Sequence, residues 1–157
     1  MLATSFAVAT AFACKTGTPG YWKNHYPEAW CALPGQTVVL TEAVYGFDQT
    51  FVIPADAMTI LTSPVKGDAR INLEQKVIAA MCSIACDPDI GWDNDPRYGG
   101  TTGLGGPGGL VDQAIDLLDS DPGPWTPSSP AADSGLRAEA LALASTIDYW
   151  LNYFDAY

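Results

Sequence analysis

Residues 71–85 read INLEQKVIAAMCSIA, and within that stretch Leu73, Val77, Ile78, Met81 and Ile84 recur at helical spacing. Apolar residues three and four apart line one side of a helix, so the segment predicts an amphipathic helix with one face toward a core. Upstream, Gly67 and Asp68 mark a turn, and Pro64 stops whatever helix precedes it. ADAMTILTS (55–63) reads as that shorter helix, with Pro54 at its start. Still earlier, TVVL (37–40) and QTFVI (49–53) are rich in β-branched and aromatic residues and predict short strands.

Downstream, DPDIGWDNDPRYGGTTGLGGPGG (87–109) has the glycine density of a wrapping loop. LVDQAIDLLDS (110–120) predicts a second amphipathic helix with Leu110, Ala114, Leu117 and Leu118 inward, and the proline-rich DPGPWTPSSP connects onward. The last helix is expected from Pro130, with Ser129 as N-cap. Leu136, Ala140, Leu143, Ile147, Trp150 or Leu151, and Phe154 hold its period nearly to the end. These elements predict a single α+β domain over residues 14–157, with three or four amphipathic helices and a small β-sheet.

The first thirteen residues stand apart. In MLATSFAVATAFA the larger Leu2, Thr4, Phe6, Val8, Thr10 and Phe12 alternate with small Ala or Ser, giving a strand one bulky and one flat face. Ala11-Phe12-Ala13 also fits a signal-peptidase site, but the stretch carries no Lys or Arg and is shorter than a usual secretory signal. An uncharged alternating strand at a chain end is an aggregation hazard unless something covers it. It can join its own molecule's sheet, or complete an open sheet in the next copy by donor-strand complementation, with Leu2, Phe6, Val8 and Phe12 filling pockets. A head-to-tail contact of that kind does not close and builds a filament. The scarcity of other strands favours the second arrangement. Tyr45, Phe47, Trp92, Tyr98 and Trp125, all outside the expected helices, are candidates to line the contact between subunits.

Charge and composition narrow the partners. The chain has 157 residues, 48% of them hydrophobic, enough for one folded core. A net charge of −11 argues against nucleic acid, whose phosphates need cations, and against an anionic membrane surface. No apolar run approaches the roughly 20 residues that span a bilayer. The four cysteines, Cys14, Cys31, Cys82 and Cys86, predict two disulfides and an oxidising compartment. Cys82 and Cys86 lie one turn apart on the expected helix, where near-parallel side chains make a mutual bond awkward. Bonds outward to Cys14 and Cys31 are the preferred pairing; Cys14–Cys31 with Cys82–Cys86 stays open, as does a zinc site.

At TPGYWKNHYPEAW (18–30) the sequence resembles a module of secreted and surface proteins of bacteria and archaea that opens close to TPGYWKNHPEAWP. SPVKGDA (63–69), LEQKVIAAMC (73–82) and IDYWLNYFDAY (147–157) resemble its later pieces, in the same order. Two departures stand out: Tyr26 is inserted between His25 and Pro27, and Cys31 replaces a proline. The resemblance implies an extracellular or cell-surface location and brings no assigned activity.

Within that motif Tyr21, Trp22, Lys23, Asn24, His25, Glu28 and Trp30 look like a site. A nucleophile paired to a base needs more than the chain's single histidine, and no GxSxG or SxxK signal is present, so no catalytic residue is assigned and no enzyme is expected. The expected role is structural, with Trp22 and Trp30 capping the core while Asn24 and His25 hydrogen-bond the backbone of a tight loop. Asp87, Asp89, Asp93 and Asp95 alternate around Gly91 and suit Ca²⁺, although the spacing is not that of an EF-hand. The functional expectation is a subunit of an extracellular filament or surface assembly; the alternative is a monomeric calcium-dependent binding or adhesion module.

Overall fold

The computed structural model describes residues 17–25, 37–38, 51–52, 55–86, 104 and 109–155. Among them are six helices: α1 (Pro19–Asn24), α2 (Ala55–Thr62), α3 (Ala69–Cys86), α4 (Leu110–Ser120), α5 (Pro130–Asp133) and α6 (Leu136–Asp155). The one strand pairing is an antiparallel ladder between β1 (Thr37–Val38) and β2 (Phe51–Val52), with Thr37 opposite Val52 and Val38 opposite Phe51.

This overturns the expected α+β class. The described residues fold as a helical assembly, and a ladder two residues long is no sheet on which a core could rest. TVVL and QTFVI do favour strands locally, but such a short pair is marginal alone, and the apolar surface is buried between helices instead. There are also more helices than the three or four expected. The helix expected from Pro130 is interrupted after one turn by Ser134 and Gly135, the latter at φ +84°, and α6 begins afresh at Leu136. Ser129 does precede α5, but its hydroxyl donates to Thr126 O at 2.8 Å rather than capping the helix.

α3 is the axis. α6 packs along it most extensively, α4 wedges against both, and α2 and α1 lie on other flanks of α3. One core joins Trp22 of α1, Leu61 of α2, Leu73, Val77 and Ile78 of α3, Leu118 of α4, Ala131 of α5, and Ile147 and Leu151 of α6. Leu104, from the glycine-rich loop, is fully buried, and its carbonyl accepts from Val111 N at 3.0 Å. Trp125, expected at an intermolecular surface, is fully buried too. No helix among the described residues is long and apolar enough to cross a membrane.

Candidate functional site

The motif segment begins with a helix signal that the structure uses. Thr18 sits at the N-cap of α1 with its hydroxyl accepting from Tyr21 N at 3.4 Å, and Pro19 opens the first turn, where its missing N–H costs nothing. α1 is anchored to α3 at one buried hydroxyl. Ser83 Oγ accepts from Gly17 N at 3.0 Å and from Trp22 Nε1 at 3.4 Å, and donates to Ala79 O one turn back at 2.8 Å. Trp22 is wholly enclosed. Gly17 is required by this closeness, since any Cβ there would run into the Tyr21 ring.

On the outer side, Tyr21 stacks on His25 with centroids 4.4 Å apart and planes 26° from parallel. His25 Nδ1 lies 3.0 Å from Tyr21 O, the carbonyl that also accepts from His25 N. Bonding to a carbonyl makes Nδ1 the protonated nitrogen. Lys23, Asn24 and His25 are exposed. The motif thus presents an anchored indole below and a short polar helix above, and His25 serves the backbone of its own turn.

A second constellation joins the Val65–Asp68 turn to the proline-rich connector. Asp68 Oδ1 accepts from Arg70 N at 2.9 Å, capping α3, and from Trp125 N at 3.0 Å, while Ala69 N donates to Trp125 O at 3.1 Å. Asp121 Oδ1 accepts from Gly123 N at 2.7 Å and Trp125 Nε1 at 3.3 Å. Arg70 closes the group: its Nη1 donates to Leu118 O and Asp121 O, both at 2.6 Å, and its guanidinium carbon lies 5.3 Å from the Trp125 ring centroid. Gly123, at φ +81°, would place a Cβ 2.9 Å from Arg70 Cδ, so a larger residue is barred twice over. Arg70 Nε pairs with Glu74 Oε1 at 3.0 Å. Burial pushes the Glu74 carboxyl above the usual carboxylate range; Arg70 pulls it back and Asp68 adds to the rise.

No protein-family model, no curated protein and no solved structure matches the chain. The site therefore rests on its own geometry.

Of the residues singled out from sequence, Tyr21, Trp22, Lys23, Asn24 and His25 come together on α1. Glu28 and Trp30 lie outside the described residues. So do Leu2, Phe6, Val8 and Phe12 of the assembly strand, Asp87, Asp89, Asp93 and Asp95 of the calcium candidate, and Cys14 and Cys31. Among the described residues no group of three His, Cys, Asp or Glu side chains gathers to hold a metal ion. Cys82 is a free, buried thiol whose pKa burial pushes upward, and Cys86 closes the last turn of α3. Ser83 and Arg70 carry the contacts that place the motif and the connector, and sequence reasoning passed over both. Ser83 stands alone among apolar residues in the second half of the helix, which is a signal; Arg70, near Asn72, Glu74, Gln75 and Lys76, carries none.

Proposed function

We propose that the protein is a structural subunit of an extracellular filament or surface assembly, polymerising when residues 1–13 of one copy insert into a neighbour. One observation carries the reading: residues 2–13 alternate without a break, and the described part of the chain offers strand pairing over only two residues on each side. A strand with a bulky face and so little sheet to join is suited to pairing with another chain. The likeness of residues 18–30 to a surface-protein module supports the location. The use of Trp22, Gly17 and Ser83 in anchoring α1 supports a scaffolding role for that motif.

Deleting residues 1–13 tests this directly. The truncated chain is expected to stay folded by circular dichroism and to run as a monomer, while the full chain forms filaments visible by negative stain. Unfolding of the truncated chain at every concentration assigns the strand to its own molecule and ends the polymer reading. A second reading rests on the alternation of Asp87, Asp89, Asp93 and Asp95: a calcium-dependent surface binding module. Calcium held by the native state raises the melting midpoint, so a midpoint that EDTA leaves unmoved removes that reading.

A further inference from the structure

We propose that the outer face of α6 packs against the same face of a second copy of the chain, the two helices antiparallel about a two-fold axis at Ser145. At about 3.6 residues per turn, Ala138, Leu141, Ala142, Ser145, Tyr149 and Asn152 fall within one arc of roughly 100°. All six are exposed and none is charged. Leu141 and Tyr149, at 37% and 49%, are the exposed large hydrophobics among the described residues. Ala138, Ala142, Ser145, Tyr149 and Asn152 recur at alternating spacings of four and three, the seam along which one helix packs on another. The small residues in that seam let the two axes approach to about 8 Å.

Charge and symmetry name a second copy as the occupant. The chain carries −11, so two copies repel and meet at least cost where charge is absent. α4 shows solvent Asp112, Asp116 and Asp119, a face suited to a cationic partner instead. On the rims of the α6 arc, Asp148 is paired with Lys76. Glu139 lies six residues before Ser145, so the axis sets the two Glu139 side chains about 18 Å apart along the helices, beyond the roughly 8 Å screening length of physiological salt. A parallel pairing sets them side by side. Leu141 and Tyr149 stand four residues on either side of Ser145, so the same axis lays each Leu141 on the partner's Tyr149. A single helix pair falls short of the roughly 1,200–2,000 Å² that stable complexes bury, so the contact is weak and the face is open at the dilution of an unfolding experiment. It closes on itself, unlike head-to-tail strand insertion, and stands independently of the filament reading.

The full chain carrying Ser145→Cys is oxidised at high protein concentration, alkylated with iodoacetamide, digested with trypsin and mapped by mass spectrometry. Trypsin releases residues 138–157 as one peptide that holds none of the native cysteines. The expected product is that peptide linked to a second copy of itself, which only two molecules can supply. Adding Leu141→Glu, which sets a carboxylate against Tyr149, is expected to cut the linked fraction about tenfold. Asp116→Cys on the outer face of α4, treated alike, gauges chance collision and is expected to link no more than about a tenth as much. A 138–157 peptide left unlinked, linked only to a native cysteine, or linked no more than the Asp116→Cys control overturns the proposal, as does linkage that Leu141→Glu leaves unchanged.

Discussion

The two longest helices, α3 and α6, pack along each other yet distribute polar and apolar residues in opposite ways. α3 carries Arg70, Glu74, Gln75, Lys76 and Ser83, and none of its described side chains is exposed. α6 leaves Leu141 at 37% and Tyr149 at 49% exposure on its outer face. The difference is one of position. α3 is surrounded, so its polar groups need partners: Glu74 finds Arg70 on α3 itself, and Arg70, Gln75, Lys76 and Ser83 each reach a different neighbour. Arg70 takes the last carbonyls of α4, and Gln75 Nε2 takes Ile60 O at 2.9 Å and Ser63 O at 2.8 Å at the end of α2. Lys76 pairs with Asp148 of α6, and Ser83 holds Gly17 and Trp22. Neither α2 nor α4 has a basic residue in its last turn, so side chains of the central helix satisfy carbonyls that those helices leave open. α6 borders fewer elements, and single apolar side chains on its open side cost little.

Four substitutions bear on that contrast. Arg70→Ala should be the most damaging, because it uncaps α4, uncovers Trp125 and leaves the Glu74 carboxylate buried without its cation. Breaking a buried pair from one side costs about 3–5 kcal/mol, to be read as a lower urea midpoint. A loss under about 1 kcal/mol would mean that the pair behaves as a surface one. Ser83→Ala strands the Gly17 amide and the Trp22 indole N–H in the core. The expected loss is about 1–3 kcal/mol, with Trp22 fluorescence reporting whether α1 stays docked.

Glu74→Gln tests the carboxyl itself. A carboxyl whose folded pKa lies above its unfolded value contributes stability that is fully present below the unfolded pKa. That contribution is lost as the pH rises through the folded value. The unmutated protein should therefore lose stability relative to Glu74→Gln as pH climbs from the ordinary carboxylate range upward, with the gap flattening above it. Urea midpoints of the two proteins across that range check it, and parallel curves would show Glu74 to be well solvated. Leu141→Gln is the smallest case: on the open side of α6 it should change stability by no more than about 0.5 kcal/mol. A larger fall would mean that the exposed face of α6 is covered in solution.

Much of the helical content was legible from local pattern. LVDQAIDLLDS folds as α4 with Leu110, Ala114, Leu117 and Leu118 buried, and ADAMTILTS ends at Thr62 before Pro64 as the proline requires. Within the motif, Trp22 lies in the core and His25 bonds the backbone of its own turn, as their residue types led one to expect. What misled was isolated apolar content. TVVL and QTFVI carry strand preference but no information about partners, and Trp125 looked like interface because it stands outside the expected helices. α3 forms where its period predicted, with Leu73, Val77 and Ile78 in the core and Met81 and Ile84 packed against it; what the pattern did not show is that Arg70, Gln75, Lys76 and Ser83 on the same helix bond neighbouring elements.

The amino-acid order by itself determined where α2, α3 and α4 run, because caps, prolines and 3.6-residue spacing act over a few residues of chain; it showed neither α1 nor the break at Ser134 and Gly135. It also determined that Gly17 and Gly123 tolerate no side chain only in the sense that glycine stands there; the reasons, the Tyr21 ring and the Arg70 stem, arrive from packing. Tertiary structure alone decided that Arg70, Gln75, Lys76 and Ser83 bind four different elements. A side chain's partner across the core depends on how helices stack, and stacking is settled by the summed burial of many residues rather than by any local run.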